Sequence, residues 1–412
     1  MPDLVISGVG VTSAVGQGRQ AFTAGLMAGA HHFGLLRRPG RQWPLAPADG
    51  VASTRFIGAE LPALALPEDL SPGLLRTASL SSHAALATMQ EAWQDAKLDD
   101  ADPARIGLVV GGSNFQQREL VNAQAAAATR FAYLRPTLGM SFMDSDLCGI
   151  CTERFGIRAF AHTVGGASAS GQLAVIEALE AVASGRADVC LAVGALMDLS
   201  CFELQAMRSL GAMGSDRFAD EPQQACRPFD VDRDGFIFGE GCAVVVVESR
   251  ASAERRGAPC HALARGWSVR MEGNRNPNPS LEGEMAAMAG ALSRAGWSPA
   301  EVDYVNPHGS GSVVGDTTEL DALRAAGLGG ALLNTTKSIT GHGLSAAGAV
   351  EIVATVLQMR EGRLHPSRNL DRPIDPAFEF VGRHPLAHQA KKALTLSYGF
   401  GGINTALCLQ HP

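Results

Sequence analysis

The run His162-Thr163-Val164-Gly165-Gly166-Ala167-Ser168-Ala169-Ser170-Gly171 is the most informative stretch of this chain, and a predicted helix follows it. Apolar residues recur at helical spacing directly after it, at Leu173, Ile176, Leu179 and Val182. Ser184-Gly185 then ends the helix, and the stretch from Asp188 to Val193 predicts a buried strand. The sequence therefore places Ser168 in a small polar turn close to a helix N-terminus.

Strand and helix character alternate along the rest of the chain. The predicted strands are Leu4 to Val11, Ile106 to Val110, Cys242 to Glu248, Val302 to Val305, Ala393 to Ser397 and Asn404 to Leu409. The last two of these flank a glycine turn, and Ala346 to Met359 has the pattern of an apolar helix. Such alternation indicates an α/β layered fold, and we expect its central strands to be mostly parallel.

Length and composition indicate a globular enzyme with a large core. The chain has 412 residues, more than one hydrophobic core usually holds, and 46% of them are hydrophobic against 18% charged. We expect two parts, residues 1–250 and residues 251–412, with a surface stretch from Glu254 to Pro259 between them. A formal net charge of −7 argues against non-specific binding of nucleic acid.

Targeting signals and disulfides are not expected. Met1 to Gly8 lacks the basic and apolar regions of a signal peptide, and no run of eighteen apolar residues predicts a membrane span. Eight cysteines are too few for a disulfide scaffold in a chain of this length, so we expect a cytoplasmic protein. Cys148 and Cys151 form a single C-x-x-C pair, for which helix packing is favoured over zinc or redox chemistry.

Ser168 is the first candidate for chemistry. Backbone N–H groups and the helix dipole at a helix N-terminus stabilise negative charge. A serine hydroxyl there still needs an adjacent general base to act as a nucleophile, and His162 is the only histidine or lysine nearby in the sequence. Taken alone, Ser168 is more often a helix-capping residue. The segment also fails the last position of the G-x-S-x-G esterase motif.

Two histidines in glycine-rich loops are the other candidates. His308 lies in His308-Gly309-Ser310-Gly311-Ser312 after a predicted strand, and His342 lies in Thr340-Gly341-His342-Gly343 before an apolar helix. Glycines let backbone approach a ligand closely, and the hydroxyls offer hydrogen bonds. Lys337 stands five residues before His342 and could form a charge network with Glu351. Zinc is the weaker alternative, because no third ligand has a recognisable spacing.

Taken together, these motifs resemble those of the ketosynthase family of the thiolase fold. The resemblance covers essentially the whole chain and rests on an ordered set of signatures: Val9 to Ser13, Cys226 to Asp230, Arg233 to Phe236, Gly239 to Gly241, His308 to Ser312 with Gly315, Asp316 and Glu319, Lys337 to His342, Ala346 to Glu351, and Ser397 to Gly402. It implies a duplicated α/β fold of five layers, αβαβα, which is dimeric in the family.

The resemblance also implies roles for individual residues. His308 and His342 would bind the thioester oxygen of a malonyl unit, opposite the backbone N–H groups of Ser168 and Phe400. The implied roles of the remaining residues are a gate for Phe400, contact with the pantetheine arm for Ser310 and Ser312, and a charge pair behind the site for Lys337 and Glu351. No metal and no cofactor of its own are expected, since the substrate is carried on the phosphopantetheine of an acyl carrier protein.

One departure from the family decides the expected reaction. The family has a cysteine where this chain has Ser168, and the stretch Val164 to Ala167 differs from the family's usual residues before it. A similar pattern occurs in ketosynthase-like decarboxylases of polyketide β-branching, which convert malonyl carrier protein to acetyl carrier protein. The alternatives are a condensing enzyme that is acylated on Ser168, and a non-catalytic subunit like a chain-length factor, against which the two histidines argue.

Overall fold

The main sheet and the helices around it are described by a computed structural model for residues 3–45, 49–50 and 53–412. The strands are β1 Leu4–Ser13, β2 Gly16–Gln17, β3 Phe33–Leu35, β4 Ile57–Ala59, β5 Ile106–Gly111, β6 Phe160–Val164, β7 Val189–Gly194, β8 Phe238–Gly239, β9 Gly241–Ser249, β10 Ala262–Met271, β11 Tyr304–Asn306, β12 Leu332–Leu333, β13 Arg363–Leu364, β14 Leu386–Ala387, β15 Lys392–Gly399 and β16 Ile403–Gln410. The helices are α1 Arg19–Met27, α2 Pro72–Thr77, α3 Leu80–Asp95, α4 Gln117–Ala127, α5 Leu138–Ser141, α6 Ser145–Phe155, α7 Ser170–Ala183, α8 Cys201–Ser209, α9 Arg250–Arg256, α10 Leu281–Ala295, α11 Val313–Ala325, α12 Lys337–Thr340 and α13 Ala347–Glu361.

The two halves of the chain repeat one strand order. In the first half the order across the sheet is β6-β5-β7-β9-β1, and in the second it is β12-β11-β15-β16-β10. The directions repeat as well, because the first three strands of each set run parallel and the last two are antiparallel to their neighbours. The two sets join where β1 pairs with β10. This is the duplicated thiolase-like fold that the sequence predicts, whereas the boundary at residue 250 stays a prediction.

Helices cover both faces of each strand set and fill the space between them. α3 packs on β1 and β9, α10 packs on β10 and β16 beside α11, and α7 and α13 pack on each other in the middle. The central helix α13 is buried almost throughout, which explains why its sequence is apolar on every side. The layers are therefore α, β, α, β, α, and the N-termini of the two central helices lie deep in the molecule.

The expectation of mostly parallel strands is wrong. Only β5–β6, β5–β7, β11–β12 and β11–β15 are parallel pairs in the main sheet of the described residues. The last two long strands are joined by the short turn at Phe400 to Gly402, and a tight turn can connect only antiparallel strands. Helical crossovers thus account for the parallel pairs, and direct turns and long returns account for the rest.

The first half of the stretch expected at the surface, Glu254 to Pro259, is the end of a helix. Arg250–Arg256 form α9, which ends at Gly257 in the left-handed conformation with φ 62°. Glu254 and Arg255 are exposed, while Ala253 is buried against the first strand. No helix among the described residues has the length and apolar character needed to cross a bilayer.

Candidate active site

An open cavity of about 230 Å³ lies where the N-termini of the central helices meet the second strand set. Many of the residues singled out in the sequence line it, among them Ser168, His308, Ser310, Ser312, Gly315, Asp316, Glu319, His342 and Phe400. Lys337 and Glu351 lie behind the two histidines and are buried. The fold thus brings together residues that are up to 232 positions apart in the sequence.

The Ser168 turn is held by a neighbouring serine. Ala167–Ala169 form one 3₁₀ turn before α7, and Ala167 has φ 47°, which is unusual for a residue with a side chain. The Ser170 hydroxyl accepts a hydrogen bond from Gly166 N at 2.9 Å and donates one to the Ala167 carbonyl at 2.7 Å. Ser170 therefore fixes the turn, and the Ser168 hydroxyl is left to face the cavity. The capping interpretation of Ser168 is wrong, because the residue at that position of α7 is Ala169.

The strand that carries Phe400 presses against this turn. The Ser397 hydroxyl donates to the Ser168 carbonyl at 3.2 Å. A side chain at Gly399 would place its Cβ 2.1 Å from the Gly166 carbonyl oxygen, so only glycine fits between the two segments. Phe400 follows directly and is 43% exposed at the cavity mouth. The position of Phe400 is compatible with the gate that the resemblance implies.

Ser168 is hydrogen-bonded to no general base among the described residues. In the part of the chain that the structure describes, its hydroxyl takes part in no hydrogen bond. His162, the nearby histidine in the sequence, lies in β6 and stacks on Phe160 with ring centroids 5.6 Å apart. It does not line the cavity. A hydroxyl without a base is a poor nucleophile, so this site is not arranged for acylation of Ser168.

His342 is fixed by backbone on two sides. Its own N–H donates to the Ile237 carbonyl at 2.7 Å, and its Nδ1 accepts a hydrogen bond from Leu344 N at 3.2 Å. Phe236 packs edge-on against the ring at 5.1 Å between centroids. Because Nδ1 is an acceptor, the proton of the neutral ring is on Nε2.

His308 has the same tautomer for the same reason. Its Nδ1 accepts from Tyr398 N at 3.4 Å, with Lys337 Nζ at 3.5 Å. Its backbone N–H is bound by a Glu319 carboxyl oxygen at 2.6 Å. The rings of His308 and His342 are 5.4 Å apart and nearly perpendicular, at 82°. The site therefore holds two Nε2–H donors side by side.

Burial and a buried lysine keep both imidazoles neutral. Desolvation lowers the pKa of His308 and of His342 well below the usual value, and the positive charge of Lys337 lowers each further. Lys337 Nζ pairs with Glu351 and also donates to the His308 carbonyl. Burial raises the pKa of Glu351 to about 7, against the opposing effect of Lys337. Two neutral N–H donors can stabilise a developing oxyanion without first losing a proton.

Ser310 and Ser312 lie at the other side of the cavity. Ser312 caps α11 by accepting from Gly315 N at 3.0 Å, and Ser310 accepts from Ser312 N at 3.2 Å. In both hydrogen bonds the hydroxyl oxygen is the acceptor, so each hydroxyl hydrogen remains available to a ligand. Their contact with a pantetheine arm stays a prediction.

Several residues of the site were missed in the sequence or noted only as structural, among them Phe236, Tyr398 and Glu284. Phe236 sits in the Arg233 to Phe236 signature but packs directly on His342. Tyr398 lies 5.6 Å from His308 between ring centroids, and Glu284 lines the cavity from the first turn of α10. The signature could have pointed to Phe236. Glu284 has no such signal, because an acidic residue in the first turn of a helix is common.

The cysteine pair lies elsewhere. Cys148 and Cys151 are in α6, buried within the apolar cluster beneath α3. Burial raises the pKa of Cys148 to about 11 and raises that of Cys151 as well. Among residues 3–45, 49–50 and 53–412, no group of three histidine, cysteine or acidic side chains has the arrangement of a metal site.

Two family models and a relative of known activity match this chain. Residues 1–253 match the β-ketoacyl synthase N-terminal domain, and residues 261–371 match the β-ketoacyl synthase C-terminal domain. A protein of Bacillus subtilis (strain 168) is 56% identical over 411 residues, covering 100% of this chain and 97% of its own length. That relative is named polyketide biosynthesis malonyl-ACP decarboxylase PksF.

Solved structures give the same fold. A β-ketoacyl synthase from Burkholderia phymatum STM815 superposes with a TM-score of 0.87 at 28% identity and covers 100% of both chains. A ketosynthase solved in complex with its type II polyketide acyl-carrier protein has a TM-score of 0.85 and also covers 100% of both chains. Its identity is 24%, so this second likeness shows the fold alone.

Proposed function

The chain belongs to the β-ketoacyl synthase family, and we propose that it decarboxylates malonyl-acyl carrier protein to acetyl-acyl carrier protein in polyketide biosynthesis. The observation that carries the proposal is the pair of neutral Nε2–H donors at His308 and His342, beside a serine without a base. The full-length likeness to a malonyl-ACP decarboxylase supports it from a separate direction.

The proposed decarboxylation depends on stabilising the negative charge that develops on the thioester oxygen. When the bond between C2 and the carboxyl carbon of a malonyl thioester breaks, the electron pair moves onto the thioester oxygen as an enolate. His308 and His342 would donate to that oxygen, and their hydrogen bonds strengthen as its charge grows. Removal of one such donor typically slows a reaction by about 10²–10³. No thiolate takes part in this step.

The other residues would position the substrate. We assign Ser310 and Ser312 to the pantetheine arm, Phe400 to the cavity mouth, and the backbone N–H groups of Ser168 and Phe400 to a second donor pair. Lys337, paired with Glu351, would keep both rings neutral from behind. Ser168 would fill space and add a hydroxyl without carrying an acyl group.

The partner is an acyl carrier protein, since the substrate arrives on its phosphopantetheine, and the enzyme itself needs no cofactor in this scheme. We further propose a homodimer, as the resemblance to ketosynthases implies, and a cytoplasmic location. Neither nucleic acid nor a membrane has a part in the reaction. Size-exclusion chromatography with light scattering measures the oligomeric state directly.

Incubation of the purified chain with malonyl carrier protein tests the function. Mass spectrometry of the carrier protein should show malonyl replaced by acetyl with time, and the enzyme should keep its unmodified mass. An acyl group on Ser168 formed at the rate of turnover would instead indicate the condensing enzyme. A purified, folded chain without turnover would indicate the non-catalytic subunit.

A further inference from the structure

We propose that Glu284 is the acid that protonates the enolate carbon after CO₂ has left, which would make it a further catalytic residue. This inference rests on the proposed decarboxylation, because only that reaction leaves an enolate with no other electrophile. Glu284 lines the same cavity as Ser168, His308 and His342. The residue is 1% exposed, and its Oε2 is buried without a hydrogen-bond partner in the part of the chain that the structure describes.

Four carboxyl groups line this cavity, and three of them are bound by donors. Glu272 accepts from Asn404 Nδ2 at 2.8 Å. Glu319 accepts from the backbone N–H groups of His308 and Gly309 at 2.6 and 2.7 Å. Hydrogen bonds of this kind favour the ionised form of a carboxyl group. Burial acts against them and raises the pKa of Glu319 to about 8 and that of Asp316 to about 6, both below the value for Glu284.

Asp316 is the third bound carboxyl group. It accepts from Phe229 N at 2.6 Å and from Gly311 N at 3.0 Å, and Arg233 lies 3.5 Å away. Among the described residues no such donor reaches Glu284, which lines the cavity together with the other three. A carboxyl group that is buried beside negative charge and lacks donors is most stable when protonated. Desolvation first, and then the charges of Glu319, Glu272 and Asp316, raise the pKa of Glu284 to about 10.

Tyr398 lies near both Glu284 and the histidine pair. Its ring centroid lies 5.6 Å from that of His308, and its buried hydroxyl has no hydrogen-bond partner within residues 3–45, 49–50 and 53–412. The nearness of Glu284 and Glu319, after burial itself, raises the pKa of Tyr398 well above the usual value. The tyrosine therefore stays a neutral hydroxyl, and a ligand in the cavity meets one carboxylic acid and one phenol there.

The step balances with groups that are present. Cleavage of the C2–carboxyl bond releases CO₂ and leaves the electron pair as the enolate on the oxygen held by His308 and His342. The enolate then takes the proton of Glu284 at C2, the thioester carbonyl re-forms, and Glu284 is left as a carboxylate. Solvent water entering by the cavity mouth returns a proton to Glu284. A neutral imidazole is a far weaker acid than a carboxyl group, so the histidines cannot supply this proton.

The test combines Glu284→Gln with labelled CO₂. Glutamine keeps the shape of the neutral acid but has no acidic proton, so acetyl formation should fall by about 10²-fold or more. An enolate that is not protonated can instead recapture CO₂. With ¹³C-bicarbonate and carbonic anhydrase present, the remaining malonyl carrier protein should gain one mass unit in the variant and much less in the wild-type enzyme.

Glu282→Gln is the matched control, because Glu282 is exposed in the same first turn of α10 and lies outside the cavity. It should leave rate and label exchange unchanged. A Glu284→Gln variant with the wild-type rate would overturn the inference, and so would a slow variant without label exchange, since that would indicate substrate binding or structure. A wild-type enzyme that forms no acetyl carrier protein would instead overturn the proposed function.

A second measurement needs no turnover. A carboxyl group whose pKa is raised in the folded state loses stability as pH rises above its unfolded value of about 4.3. Glu284→Gln removes that loss, so its thermal midpoint should rise relative to wild type from pH 5 to pH 8. A difference that stays constant over this range would show that Glu284 is ionised in the folded protein, and the acid role would then be wrong.

Discussion

The turn before α7 and the turn before α13 are built alike and do different work. Each is a single 3₁₀ turn that begins with a non-glycine residue at positive φ, Ala167 at 47° and Leu344 at 50°. In each, a serine follows at once, Ser168 or Ser345, and a glycine comes four residues after the first residue. The repeated strand order places both turns at the centre of the molecule.

The side chains on the two turns differ. The Ser345 hydroxyl is buried and donates to the Ala195 carbonyl at 2.8 Å, whereas the Ser168 hydroxyl faces the cavity. Two residues before the positive-φ position, the second turn has His342 and the first has Gly165. One copy of the same backbone thus supplies a hydrogen-bond donor, His342, and the other supplies an opening beside it. Division of labour after duplication explains why the site is asymmetric on a nearly symmetric fold.

Removing the donors should have the largest effect. We expect His342→Ala and His308→Ala each to slow acetyl formation by about 10²–10³, because each loses one hydrogen bond to the enolate oxygen. The measurement is single-turnover CO₂ release, with thermal unfolding to establish that each variant is folded. A variant that keeps nearly the full rate would remove that histidine from the donor pair.

Neutralising the charge pair behind the second turn should have an intermediate effect. Lys337 lowers the pKa of both histidines, so the double variant Lys337→Met/Glu351→Gln should raise both pKa values. More of each ring is then protonated at a given acidic pH, and the acid limb of the pH–rate profile should move to higher pH. The double variant avoids leaving either charge buried alone. An unmoved acid limb would mean that burial alone keeps the rings neutral.

The two serines should separate rate from stability. Ser345→Ala leaves the Ala195 carbonyl without its buried donor and should cost about 1–3 kcal/mol of unfolding free energy, with turnover intact while folded. Ser168→Ala breaks no hydrogen bond of its hydroxyl, so it should change stability by less than about 0.5 kcal/mol and the rate by less than about tenfold. Denaturant titration and CO₂ release measure the two quantities. A thousandfold loss of rate in Ser168→Ala would make Ser168 a catalytic group.

Most of the long helices and strands could be predicted from the sequence because their apolar residues recur with a clear spacing over many positions. The predicted helix after Ser168 and the all-round apolar helix Ala346 to Met359 are found within a few residues of their predicted ends. The prediction of mostly parallel strands was wrong because the spacing of apolar residues indicates which residues are buried and not in which direction a strand runs. The duplication, which the family resemblance implies, is visible in the structure in the repeated strand order and in the matching turns before α7 and α13.

Only those residues of the candidate site that lie in recognisable motifs could be predicted from the sequence. Ser168, His308 and His342 lie in glycine-rich segments that resemble a known family, and the structure places all three on one cavity. The tautomers of the histidines depend on backbone donors at Leu344 and Tyr398, which no local pattern specifies. The proposed role of Glu284 depends on the lack of a hydrogen-bond donor to its Oε2 among the described residues. No sequence pattern indicates that such a contact is missing.

The smallest effect is expected at the backbone of the first turn. A residue with a Cβ in the left-handed conformation costs roughly 1–2 kcal/mol, and glycine there gives back roughly 0.4–1 kcal/mol through the freedom of the unfolded chain. Ala167→Gly should therefore raise the unfolding free energy by up to about 1 kcal/mol. The matched control is Ala169→Gly, two residues on at φ −86°, where relief is absent and stability should fall by a similar amount. Denaturant midpoints at constant slope compare the two. Equal losses in both variants would mean that the Ala167 conformation costs nothing, and the strain shared by the two turns would then be no part of how either presents its side chain.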